Sequence, residues 1–148
     1  MSDNIKNEVL NYLKNHLYGN LASINSNDPK QPHVSTVVYV NDGFTIYFGT
    51  SLKTIKFANI EKNNNVALTI DEDVKTDWMK ITGLQIEGKA SAIKEEEIPS
   101  VFRIYSEKFP IIKSFPSNPD SRFIKITPKK IWLLDYTKGF GHREYLEM

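Results

Sequence analysis

Two β-rich runs, Val34–Val40 and Phe44–Phe48, are separated only by Asn41-Asp42-Gly43, and this junction constrains the fold more than any other feature of the chain. Glycine tolerates the positive φ of a tight hairpin turn, so Asp-Gly between two such runs joins antiparallel neighbours. Phe44, Ile46 and Phe48 share one face at a period of two, which is how a strand covers a core. The theme recurs along the chain. Leu21–Ile24, Val66–Ile70 and Met79–Ile93 read as strands, and Phe123–Tyr136 reads as a last β stretch divided near Pro128. Within Met79–Ile93 the apolar phase slips between Ile81 and Leu84, and Thr82-Gly83 at the slip predicts a β-bulge that bends the strand.

Three segments carry helical spacing instead. Ile5, Val9 and Leu13 form one apolar stripe, with Ser2 or Asp3 available as its cap. Thr50–Asn63 changes to helix-like spacing and stops at Asn63-Asn-Asn65. Lys94–Phe109 opens with Glu95, Glu96 and Glu97 at its positive end and Pro99 in its first turn. Asp71–Asp77 reads as a solvated acidic loop, and Thr137–Met148 as a tail carrying Gly139-Phe-Gly-His-Arg143. Hairpin-connected strands with a few inserted helices predict one mainly β domain over residues 1–148, a closed or nearly closed antiparallel barrel.

Composition narrows the function. Lys+Arg is 19 against Asp+Glu 18, a balance that argues against nucleic acid or an anionic membrane surface as the main partner. With no cysteine there is no disulfide framework, thiolate metal site or cysteine nucleophile. His16, His33 and His142 lie far apart without metal-ligand spacing, so no metal site is expected. The polar start and the lack of a long apolar run suit a cytoplasmic protein.

Chemistry concentrates in the turn Gly49-Thr-Ser-Leu-Lys-Thr-Ile-Lys56, where strand gives way to helix. Thr50, Ser51, Thr54 and Lys56 there are either helix caps beside a solvated lysine or the donors of an anion site. Elsewhere, Gln85 faces either a cofactor cleft or water. His142 and Arg143 touch a ligand or belong to a solvated tail. Trp78 and Trp132 read as core or dimer-interface aromatics.

The order of these motifs resembles the pyridoxamine 5′-phosphate oxidase-like split-barrel family, whose members bind FMN. The likeness runs through the strand ending in Thr50, then Thr54-Ile-Lys56-Phe-Ala-Asn59-Ile60, then Asn63-Asn-Asn-Val66-Ala-Leu68. It continues in Gly83-Leu-Gln-Ile-Glu-Gly-Lys-Ala90, Tyr105-Ser-Glu-Lys-Phe-Pro110 and Gly139-Phe-Gly-His142, which are similar to an uncharacterised bacterial subgroup. Many members carry an Arg beside the helix lysine, where this chain has Ile55. The resemblance implies an antiparallel split barrel that forms a homodimer with FMN at each subunit interface. It also implies that Thr50, Thr54 and Lys56 contact the phosphate, that Ser35, Thr36 and Val37 run beside the flavin ring, and that the tail reaches the partner's flavin. The activity expected from it is a flavin-dependent oxidoreductase with no assigned catalytic side chain. The alternative is a flavin- or haem-binding module without turnover.

Overall fold

The computed structural model describes residues 2–148 and forms a single seven-stranded sheet in the order β3-β2-β1-β4-β5-β6-β7, closed by an extra β3–β6 pairing. The strands are β1 (Tyr18–Ile24), β2 (Pro32–Asp42), β3 (Thr45–Ser51), β4 (Asn65–Asp71), β5 (Thr82–Ala92), β6 (Ser121–Asp135) and β7 (Arg143–Glu147). The first six make a closed antiparallel barrel, as the alternating runs and the hairpin predict. Gly43 takes φ 58° at the β2–β3 hairpin, the conformation its position demands. Ile46 and Phe48 of β3 meet Val37 and Tyr39 of β2, Leu21, Leu68, Ile86 and Ile126 in one core.

Three α-helices, α1 (Ser2–Asn15), α2 (Ile55–Lys62) and α3 (Ile98–Lys108), cover this barrel. Val9 and Leu13 of α1 are fully buried, as their stripe requires. The helix already begins at Ser2, so Asp3 sits in its first turn rather than capping it, and the side chain of Ser2 lies outside the described residues. The C-terminal end of α1 is tied down by Lys108, whose ammonium donates to Leu13 O at 3.4 Å and His16 O at 2.6 Å. That ammonium also stands 4.1 Å above the Tyr39 ring, and burial pulls its pKa down to about 8. On the outer side of β2 and β3, α3 contributes Val101 and Tyr105 to a second apolar cluster with Val40, Tyr47 and Phe123.

Four expectations need correction. No bulge occurs at Thr82-Gly83. The apolar phase slips there because Trp78–Lys80 forms a turn of 3-10 helix before β5 begins at Thr82. The register shift lies instead between Glu87 and Gly88, which face Lys130 and Pro128 and leave Lys129 as the extra residue on β6. A Cβ on Gly88 would sit 2.4 Å from Thr127 O, so the strands cross closely only because this residue is glycine. Pro128 therefore does not divide β6, because the bulge absorbs its missing donor. The tail is not a loose extension: Arg143–Glu147 adds to β6 as β7 and buries Leu146. Finally, of the two places expected for Trp78, its 59% exposure excludes the core and leaves the interface; its ring packs edge-on against Phe140.

Candidate functional site

The barrel opens where β2 and β3 part. From Tyr39 to Asp42, β2 pairs with β3, ending at Tyr39 opposite Phe48. From Pro32 to Val38 it pairs with β1 alone. Past Phe48, β3 keeps only β6, through Ser51 opposite Ser121. Continued register would set Val37 across from Thr50 and Thr36 across from Ser51, yet no such pair forms. Tyr39 N–H donates to Leu17 O on the β1 side, so alternation turns the peptide groups of Val34, Thr36 and Val38 toward the open fork. A free strand edge is a row of main-chain donors and acceptors. The Ser35 hydroxyl, on the inward phase of β2, is buried with no hydrogen-bond partner among the described residues.

Across the fork lies the turn from β3 to α2. Thr54 is the N-cap of α2 and its hydroxyl accepts from Phe57 N–H at 3.3 Å. The same hydroxyl donates to Ser51 O at 2.9 Å, so in the 3.0 Å Thr50–Thr54 contact Thr50 must be the donor. The capping role is therefore realised for Thr54, and its proton is already committed. Ser51 Oγ accepts from Lys53 N–H at 3.2 Å, and among the described residues its own proton has no acceptor. The amides of Ile55 and Lys56 open α2 without an intrahelical acceptor. Lys53 pairs with Asp120 at 3.1 Å, whereas Lys56 makes no ion pair among the described residues. Ser51, Lys56 and the first amides of α2 thus supply uncommitted donors and positive charge, which is the donor set an anionic phosphate needs. Asn59 fixes the helix that carries them. Its fully buried amide donates to Ser23 Oγ at 3.0 Å and accepts from Ser26 N–H at 2.8 Å.

Gln85 and Arg143 are not at the fork. They line a groove of about 430 Å³ on the outer face of the sheet, with Asn20, Val34, Thr69 and Trp132. Val34 joins the two regions, since it lies on the β2 segment that borders the fork. His142 stands apart, its ring 3.4 Å from Glu144. Two residues at the fork were not among the candidate site residues, although Tyr105 opens one of the motifs that carry the resemblance. Arg122 sits opposite Thr50 in the β3–β6 ladder and so shares its face, with Nη1 donating to Pro119 O and Ser121 O. Tyr105 reaches from α3 to Val38 O and Gly49 N–H. Neither carries a local signal, because each acquires its place through pairing across tens of residues.

Residues 5–135 match the family described as pyridoxamine 5′-phosphate oxidase. The chain belongs to this family. It is 29% identical over 131 residues to general stress protein 26 of Bacillus subtilis, covering 88% of this chain and 89% of that one. Family relatives with solved structures include a putative pyridoxamine 5′-phosphate oxidase of Listeria innocua (TM-score 0.71, 26% identity, 88% of this chain and 98% of that one). The haem storage protein HutZ of Vibrio cholerae shares the fold (TM-score 0.72, 19% identity, 82% of this chain and 88% of that one). The fold thus spans proteins named for pyridoxamine 5′-phosphate oxidation and for haem storage. No helix among the described residues is long and apolar enough to cross a membrane.

Proposed function

We propose that this protein is a cofactor-binding split barrel that holds FMN at the fork between β2 and β3. The observation that carries this reading is the pairing of two unlike features across one gap. On one side is a free main-chain edge, Val34 to Thr36 with the Val38 N–H, suited to the donor–acceptor edge of a flat heterocycle. On the other is a turn whose uncommitted donors and lysine suit a phosphate. Ser35, Thr36 and Val37 would run beside the ring through their main chain, since the side chains of Ser35 and Val37 face the barrel interior. The fit is to a ligand both planar and phosphorylated. Bound FMN supplies electron-transfer chemistry, and this reading extends to a flavin-dependent oxidoreductase. The chain's own part is to orient the ring and limit its contact with water.

The same reading makes the protein a homodimer. The outer face beside the fork exposes Tyr18, Val34, Val38 and Tyr145, an apolar set that a second copy would cover. Arg143 is held on this face by β7, and on this reading it would approach a partner's flavin from that strand. Haem is the second reading, favoured by the shared fold of HutZ. One experiment separates the possibilities: sedimentation equilibrium with FMN, followed at the flavin absorbance, and a parallel run with haemin. Flavin absorbance should travel with a species of twice the 17.0 kDa chain mass. Flavin that stays free while haemin co-sediments would replace the FMN reading with the haem one.

A further inference from the structure

The fork begins at one residue pair, Val38 and Gly49, which the β2–β3 register sets opposite one another immediately past Tyr39–Phe48. The Tyr105 hydroxyl occupies that point. It donates to Val38 O and accepts from Gly49 N–H at 3.1 Å, so a side chain from α3 bonds both arms of the fork at once. Its position is fixed from behind. The ring stacks on Phe123 at 5.4 Å with 29° between planes and leans on Phe109 at 6.0 Å. Burial pushes the phenol up to about 12, which keeps the proton it donates in place at any physiological pH.

Nothing in the strand sequences stops the ladder there. Val34, Thr36 and Val38 are β-branched residues that favour strands, and their peptide groups already face β3. Gly49 remains extended strand on β6 and faces Val38 with its backbone, whereas Ser51 O already accepts from the Thr54 N–H and hydroxyl, so the pair free to close is Val38–Gly49. Two neighbouring strands with free edges close on one another unless something stands between them.

We propose that Tyr105 is a positioning residue that ends the β2–β3 ladder and holds the fork open at the width a flat ligand requires. This rests on the reading above for what the fork receives, but the opening itself is a property of the ligand-free chain. A role confined to packing α3 would lower the melting temperature and leave the fork as it is.

Tyr105→Leu keeps an apolar side chain in the α3 cluster and leaves neither ring nor hydroxyl at the fork. Backbone amide exchange of the ligand-free variant is the primary measurement. Val38, whose amide has no β3 partner in the wild type, should exchange roughly tenfold more slowly as the Val38–Gly49 pair closes. FMN and riboflavin should both bind about tenfold more weakly, by the same factor, because the gap serves the ring and not the phosphate. Tyr105→Phe retains the ring in its aromatic cluster, so it folds even where leucine does not, and should slow the Val38 amide about threefold. Val38 exchanging at the wild-type rate in the folded variants would overturn the proposal. A wild type that binds no flavin would instead overturn the FMN reading, while the exchange result would still decide the role of Tyr105.

Discussion

Replacing Lys56 with alanine weakens FMN binding roughly 10- to 150-fold and leaves riboflavin binding unchanged. A hydrogen bond to a charged group contributes roughly 1.5–3 kcal/mol, and each 1.4 kcal/mol is about tenfold in affinity. Riboflavin lacks the phosphate, so the same substitution removes nothing it uses. Folding survives, since Lys56 holds no ion pair among the described residues and the cap of α2 belongs to Thr54. Isothermal titration of wild type and variant with both ligands measures the difference. Equal losses for the two would mean a general structural effect, and no loss for either would place the phosphate elsewhere.

The second large effect falls on Asn59→Ala. Truncation leaves Ser26 N–H and Ser23 Oγ without the partners that a fully buried amide supplies. A buried group left unsatisfied costs roughly 1–3 kcal/mol; two would cost about 2–6 kcal/mol, and because Ser26 is only half-buried the loss should fall at about 2–4 kcal/mol. Urea denaturation should show the loss as a lower midpoint at unchanged slope. The consequence reaches function, because Asn59 anchors α2 to the loop after β1 and thereby sets where Ser51 and Lys56 stand. A loss below about 1 kcal/mol would mean that water replaces the amide and that α2 is held by Phe57 and Ile60 alone.

Local chemistry made much of this legible from sequence. The Asp42-Gly43 hairpin and the alternation of Phe44, Ile46 and Phe48 are written in adjacent residues, and both appear as expected. The strand-to-helix turn at Thr50–Lys56 was equally visible, although its sequence left open whether Thr54 capped or donated; the hydrogen bonds show it capping. Thr82-Gly83 misled because a phase slip looks alike whether a bulge or a 3-10 turn causes it. The true bulge at Gly88 depends on Pro128, forty positions on, which a local window does not contain. The tail gave no strand signal, because Leu146 alone enters the core from the five residues of β7. Tyr105 and Arg122 take their places at the site through tertiary pairing, and nothing beside them in the chain announces it.

The claim that a phosphorylated flat ligand enters the β2–β3 fork is tested most directly by mapping backbone amide shifts during an FMN titration. The account predicts the largest changes at Thr36 and Val38 on one arm and across Gly49–Lys56 on the other, with smaller ones at Gln85. The outer face offers a contrasting location, a groove lined by Lys89, Lys129 and Lys130 that an anion could enter without the fork. Shifts confined to those lysines, with Thr36, Val38 and the Thr50–Lys56 turn unmoved at saturation, would contradict the account.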